Sequence, residues 1–430
     1  MNRLLVAAGS AAGFAFTVWL FFPGYFTYDS RAVYGDMQAG TPGDWQSPVM
    51  GVLWRLVDPI SPGPGSLFLV IAGLYWLGFG LLGLGLVRRS PWLGLLAPAA
   101  GLLPSSFDLL SMIWRDLLLG GAWLVAAAGL YATRDSRWRI AMQVLAAVLV
   151  LFGVLLRPNA VAAAPLLLFY AAWPDSFRWR RALLLYLPAV FGCVLLIQTV
   201  YYGVIGARRD NPAHSLLVFD LGGISHFTGE NQFPVTWTET ENRLLLETCY
   251  DPVRWDNYWT IPPCDFVMQR LERPDDVVFG TPRLGEAWRA ALLSHPLAWL
   301  RHRLTYWATF VAGSRNLVIE TRDVRDPAST PLAASRPFQT FIDWHLLIER
   351  SPLFRPLLWL LLAAAAVALL WRRRETAQGA FVVATGGSGI FYVASFGLVG
   401  VAADFRYAFW CVLAGVAAAL AAALGERKTQ

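Results

Sequence analysis

Lysine is almost missing from this chain. Lys428 is its only lysine, so arginine supplies nearly all of the 35 basic side chains that stand against 29 acidic ones. A coding bias toward arginine accounts for that, although a planar guanidinium also grips phosphate with a fork that lysine lacks. Charge of either sign is scarce too: charged residues make up 15% of the 430 and apolar residues 56%, which excludes an ordinary soluble domain. The five histidines and four cysteines fall in no His-x-x-x-His or Cys-x-x-Cys spacing, so the short metal-binding motifs are absent. There is no Walker-type glycine loop, no Gly-x-Ser-x-Gly elbow and no paired dinucleotide signature. No nucleic-acid partner is expected.

What is present is a series of long apolar runs. A run of about 17 to 25 apolar residues crosses the roughly 30 Å hydrocarbon core as a helix. Ten are expected: 4–22, 66–87, 91–107, 116–133, 139–156, 159–174, 182–204, 353–371, 378–400 and 406–424. The first follows only Met-Asn-Arg, with no small-residue cleavage site before Pro23, and reads as a retained helix. Arg3, Arg88-Arg89, Arg134/Arg137/Arg139, Arg178/Arg180/Arg181, Arg372–Arg374 and Arg427-Lys428 fall at alternate ends of these runs. Cytoplasmic loops collect arginine, so all six clusters and both termini are placed inside. The run 296–313 holds Arg301, His302 and Arg303 in its first half, which is costly at mid-bilayer. It reads as an interfacial or re-entrant helix. The twenty tryptophans fit interfacial anchoring.

The expected fold class is an all-α polytopic membrane protein with interfacial helices and an extracytoplasmic cap. Its parts are a seven-helix bundle over 1–204 with an outer loop at 23–65, an extracytoplasmic region over 205–352, and three helices over 353–430. In the outer loop, short helices are expected from Ser30 to Ala39 and from Trp45 to Val57, with Pro48 near a first turn. Another is expected over 283–294. Cys193 and Cys411 lie in apolar runs and read as core residues, whereas Cys249 and Cys264 lie fifteen apart in the outer region. In an oxidising compartment those two are expected to pair as a disulfide, worth about 3 kcal/mol on the chain-entropy account.

The chemistry-bearing residues gather on the side away from the arginine clusters. Asp29 follows the first run and is either a general base or a helix cap. Tyr28, Tyr34 and Asp36 crowd it, and Asp36, seven residues on, would share its helical face. Arg115 and Asp116 open the fourth run; Arg115 suits a phosphate and Asp116 an acceptor or a metal, and both also read as end-of-helix charges. Arg157-Pro158-Asn159 makes a turn at the same side, and Arg406 sits there with Asp404 and Tyr407. Either arginine can grip a substrate phosphate or simply contact lipid headgroups. His295 precedes Pro296 at the start of the aromatic run.

Taken in order, these segments resemble the GT-C superfamily of membrane glycosyltransferases. The likeness rests on Phe26-Thr-Tyr-Asp29, Trp114-Arg115-Asp116, Leu156-Arg157-Pro-Asn159, Phe219-Asp220-Leu-Gly-Gly, His295-Pro296 and Asp404-Phe-Arg406-Tyr407. The resemblance implies a polyprenyl-phosphate sugar donor and an acceptor that is a lipid-linked glycan, a lipid or a wall polymer. It places the reaction on the periplasmic face of a bacterial inner membrane. It implies Asp29, Asp36 and Asp116 as catalytic residues and Arg406, Arg157 and Arg115 as holders of the donor phosphate. Tyr28, Tyr34, Asn159, His295 and Tyr407 would touch substrate. No Asp-x-Asp stands in the first loop and no Trp-Trp-Asp is present, which argues against protein N-glycosylation and leaves a divalent cation (Mg or Mn) open. A polysaccharide polymerase or ligase would use the same face and the same lipid. A lipid-linked glycan flippase is the reading from another class, although transporters place their charges near mid-membrane and often show inverted repeats.

Overall fold

The computed structural model describes residues 1–313 and 330–425. The cluster Arg427-Lys428 and residues 314–329 of the long loop lie outside them. Among the described residues there is no β-strand, only three isolated bridges, and the protein is all-α. Its chain groups into two compact units. Of the described residues, one comprises 1–208, 330–393 and 406–425, and the other 209–313 and 394–405.

The first unit begins with α1 (Asn2–Phe21), α2 (Tyr28–Ala39), α3 (Pro48–Val57), α4 (Pro64–Leu86), α5 (Pro91–Ala100) and α6 (Pro104–Phe107). It continues with α7 (Arg115–Thr133), α8 (Arg139–Leu156), α9 (Ala164–Ala172) and α10 (Trp179–Gln198), the last extended by a π-wound turn to Val204. Eight described helices are long and apolar enough to cross a membrane, and nine if α5 and the 104–111 segment count as one span bent by 46°. The chain is an integral membrane protein.

The expected ten straight spans need two corrections. The run 91–107 is broken at Gly101–Leu103 and its second part extends to Ser111. The run 159–174 is a 3₁₀ turn, Pro158–Ala162, followed by the nine-residue α9. Nine α-helical residues rise only about 14 Å, so α9 alone is too short to cross. Pro158 and Pro165 account for the break, since neither can donate the backbone bond that a continuous helix requires. The stretch nevertheless returns along α8: Gln143 donates to the carbonyl of Ala171 at 2.8 Å, and Arg139 pairs with Asp175 at 2.5 Å.

The arginine clusters meet at one end of this unit. Arg88 pairs with Asp135, Arg89 donates to Gln378 at 3.1 Å, and the Phe177 amide donates to the Arg374 carbonyl at 2.7 Å. Gln378 in turn donates to the carbonyls of Ala421 and Leu424 at the C-terminal end of α20 (Phe409–Ala422). Between α10 and α20 the chain forms α11 to α19, of which α16 (Thr330–Ala334), α17 (Arg336–Ile348) and α18 (Pro356–Leu370) belong to the first unit. The amphipathic α17 buries Phe338, Phe341 and His345. His345 is hydrogen-bonded at 2.5 Å to Asp108, both fully buried, so this short helix is anchored at the break after α5.

The second unit is built from α11 (Ala213–Thr228), α12 (Glu239–Glu247), α13 (Phe266–Leu271), α14 (Pro282–Ser294) and α15 (Pro296–Gly313). Residues 394–405, which include the last turns of α19 (Ala377–Val399), join it. Cys249 and Cys264 form the expected disulfide. The helix expected over 283–294 is α14, and the uncertain run 296–313 is α15, which is not among the helices apolar enough to cross.

A buried carboxylate organises this unit. Asp220 accepts from the indoles of Trp288 (2.7 Å) and Trp299 (3.1 Å) and pairs with Arg303 at 2.5 Å. Burial opposes its charge, but His302, Arg303 and Trp288 outweigh that and hold its carboxyl below the ordinary range. Burial pushes His302 down, helped by Arg303, so the imidazole is neutral at pH 7. Gly223, one turn along, makes room for it: a Cβ there would fall onto the His302 ring. Gly223→Val is therefore expected to destabilise the protein by about 1–3 kcal/mol through overpacking. Thermal unfolding in detergent micelles checks this, and an unchanged midpoint would refute the packing.

Candidate active site

Four stretches of the first unit converge at the end away from the arginine clusters. Two backbone bonds bring the first loop to the start of α7: the Tyr25 amide donates to Ser111 at 2.8 Å, and the Ile113 amide to Tyr25 at 3.4 Å. α2 starts at Tyr28, earlier than the expected Ser30, because Thr27 and Ser30 form a reciprocal cap, with Ser30 Oγ accepting from the Thr27 amide at 2.8 Å. This cap puts Asp29 in the first turn, where a carboxylate also suits the helix dipole. α3 ends at Val57 as expected but begins at Pro48, not Trp45, with Ser47 as its cap.

Asp29 is gripped at both oxygens. Arg406 donates to Oδ2 at 2.7 Å, and Gln46 donates to Oδ1 at 2.9 Å. Burial works against the charged carboxyl, but Arg406, then Arg115 and Arg157, hold it below the ordinary carboxylate range. The second carboxylate, Asp116, accepts from Arg157 Nε at 2.7 Å, and this pair is more deeply buried. Tyr407 lies between the two pairs, with the Arg157 guanidinium 4.4 Å and the Arg406 guanidinium 5.1 Å from its ring centre. Arg406 also lies 4.6 Å from the ring of Trp114, whose indole donates to Thr27 Oγ1 at 3.0 Å.

Arg115 is the remaining cation. It is half-buried, Asp29, Asp116 and Arg157 all act on it electrostatically, and it has no ion pair or side-chain hydrogen bond among the described residues. Of the three arginines here, Arg157 and Arg406 have carboxylate partners and Arg115 does not. That arrangement favours an anion.

The other expected residues divide. Asp36 lies one face-repeat along α2 from Asp29, where its Oδ2 accepts from the Gly43 amide at 3.3 Å. Asn159 sits in the 3₁₀ turn beside Arg157, and its buried amide nitrogen has no hydrogen-bond partner among the described residues. Tyr28 is 74% exposed. Tyr34 turns away from Asp29: its hydroxyl donates to Asp58, accepts from the Gly63 amide, and its ring packs between Phe26 and Trp54. His295 ends α14 in the second unit. Trp114 entered the sequence reading only as part of the Trp114-Arg115-Asp116 motif, and Gln46 was given no role in it. An aromatic next to Arg115 is a signal for the first, but only tertiary contact distinguishes Gln46 from any other loop glutamine. Among the described residues no group of three or more His, Cys, Asp or Glu gathers that could hold a metal ion.

No family model matches the chain, and no curated protein matches it. Among solved structures it is similar to ArnT from Cupriavidus metallidurans, crystallised bound to undecaprenyl phosphate. Identity is 15% over 96% of this chain and 77% of that one, with a TM-score of 0.32. A likeness of that size carries no conclusion about the site.

The deeper of the two ion pairs gives a stability prediction. Arg157→Ala leaves Asp116 charged and buried, and is expected to cost about 3–5 kcal/mol. Replacing both members, Arg157→Met with Asp116→Leu, is expected to recover most of that loss in the same melting experiment. Equal losses in the single and double variants would contradict an ion pair at this position.

Proposed function

We propose that this protein is a GT-C-type membrane glycosyltransferase that moves a sugar from a polyprenyl-phosphate donor to a glycan, lipid or wall-polymer acceptor. The observation that carries the reading is Arg115: a cation without an ion pair, set among two occupied carboxylate–guanidinium pairs. An anion is the natural complement of that unpaired guanidinium, and a lipid phosphate is an anion available at the rim of a membrane bundle. We place the site on the outer face of a bacterial inner membrane, because the arginine clusters at the other end suit the cytoplasmic side. The sequence resemblance supports the same assignment.

In this reading Asp29 is the base and Arg115 holds the donor phosphate. An acceptor hydroxyl oxygen forms its bond to the anomeric carbon as the bond from that carbon to the phosphate oxygen breaks. The electron pair leaves with the polyprenyl phosphate, and the hydroxyl proton passes to Asp29. Negative charge grows on the departing phosphate, where Arg115 stabilises it more than in the ground state. Arg157 and Arg406 act chiefly through their aspartates, fixing Asp116 and Asp29. No step is routed through a metal ion, since both carboxylates are held by arginine.

Two outcomes are expected with purified protein, polyprenyl-phosphate sugars and a lipid extract. Arg115→Ala is expected to lower kcat/KM about 10²–10³-fold, the usual loss for one donor to a developing negative charge. Movement of a lipid-linked glycan without a new glycosidic bond would instead favour a flippase. The second outcome concerns pH. Because Asp29 works ionised and its pKa is lowered, the rate is kept below the ordinary carboxylate range and falls as pH drops through the lowered value. Arg406→Ala removes the largest lowering influence, so the acid limb of the rate profile is expected to move to higher pH. A limb that stays in place would remove Asp29 as the base.

A further inference from the structure

The first unit contains a cleft of about 380 Å³, within the size range of small-molecule sites, and linked to Asp29 through the lining residue Gln46. Helices α2 and α3 form two walls through Val33, Val52 and Arg55, and Val204 at the end of α10 forms the third. The floor is the loop from Gly40 to Ser47. That loop is held on three sides, so the cleft is formed in advance: Asp36 accepts from Gly43, Tyr202 donates to Asp44 at 2.6 Å, and the Asp44 amide donates to the Arg208 carbonyl at 3.0 Å.

Two features of the cleft say what it takes. Its lining is mainly apolar, and it opens on surface suited to lipid. Val204 is 73% exposed at the end of the apolar helix Trp179–Val204, which is hardly buried along its length, and Val52 is also exposed. At its other side Gln46 lines the cleft and binds the Asp29 oxygen that Arg406 does not use. Its two charged linings, Asp36 and Arg55, are of opposite sign, so the cleft has no excess charge to recruit a phosphate. The anion-selective position is at Arg115, on other elements.

We infer that this cleft is the acceptor site and that the acceptor is a membrane-borne amphiphile. Its apolar chain lies along Val33, Val52 and Val204, and its hydroxylated head reaches Gln46 and Asp29. The assignment rests on Asp29 being the base of the proposed transfer. A soluble glycan would gain nothing from walls of this composition, whereas a lipid-linked head enters sideways from the bilayer without leaving it.

The test uses the full chain in phospholipid nanodiscs and two photoreactive probes: a dodecyl glucoside with a diazirine on its chain, and a methyl glucoside with a diazirine on its sugar. Crosslinked residues are mapped by mass spectrometry, with and without excess plain dodecyl glucoside as competitor. The long probe is expected to label α3 and the Val204 segment in a competed manner, and Val52→Trp is expected to reduce that labelling about tenfold. Val204→Trp, on a separate element, is expected to do the same, which guards against one misfolded variant. Adducts on the exposed Leu183, Leu184 and Leu187 are expected to be insensitive to both changes. Uncompeted labelling spread over all exposed apolar residues would overturn the proposal, as would equal competed labelling of the cleft by the short probe. Sugar transfer is assayed on the same samples. Competed labelling without transfer would leave an amphiphile site and overturn its role as acceptor site. Transfer with an unlabelled cleft would overturn the cleft and leave the transferase reading standing.

Discussion

The bonds from Arg406 to Asp29 and from Arg157 to Asp116 hold the candidate site together. The first joins residues 377 positions apart, so the loop after α1 and the turn before α20 are clamped across nearly the whole chain. The second closes the start of α7 onto the end of α8. Placing such charges in partly desolvated surroundings is expensive, and the attraction repays it only when the geometry is close and the remaining donors are used. Here Tyr407 and Trp114 supply aromatic faces to the guanidiniums, and Gln46 takes the second oxygen of Asp29. The same clamp carries Arg115 into place, because it is neighbour to both Trp114 and Asp116.

Arg115 lacks an ion pair beside two arginines that have theirs, and in the proposed reading the donor phosphate brings the matching negative charge. In water such a cation would be screened and of little consequence. At the rim of an apolar bundle the local dielectric is lower and each unit of charge counts for more. Arg157 and Arg406 then have a different task from the one their position in the sequence suggests. In the proposed transfer they hold and orient the two carboxylates, and Arg115 meets the donor phosphate.

The second unit applies the same physics around Asp220. Asp220 is fully enclosed by two indole donors, a guanidinium and a neutral imidazole, and Arg303 also donates to the Gly400 carbonyl at 2.7 Å. A buried carboxylate with partners on two of these helices fixes the packing of α11, α14 and α15 on one another. The motif Asp220-Leu-Gly-Gly thus has a structural explanation: a charge to gather partners, and small residues to admit Tyr258 and His302.

Much of this molecule was legible from its pattern of residues. Apolar runs, with arginine clusters at alternate ends, specify which segments lie along the bundle and which of their ends belong together, because hydrocarbon demands helices and penalises charge. Pro48 marked the first turn of α3, whereas the Thr27 and Ser47 caps that set the actual starts of both short helices came from the structure. The broken runs at 101–103 and 158–165 were less legible, since proline is tolerated inside some membrane helices and its effect depends on neighbours. The nearness of Asp29, Arg115, Asp116, Arg157 and Arg406 was also implied, as all five end apolar runs on one side. Which arginine pairs with which aspartate was not, and neither was the turning of Tyr34 toward Asp58. Sequence by itself determined the helices and the end at which charge collects, for those follow from local bonding and from solvent. Only the tertiary structure decided the pairing that leaves Arg115 without a counter-ion and joins Gln46 to Asp29, because such contacts depend on distances of about 3 Å between segments far apart in the chain.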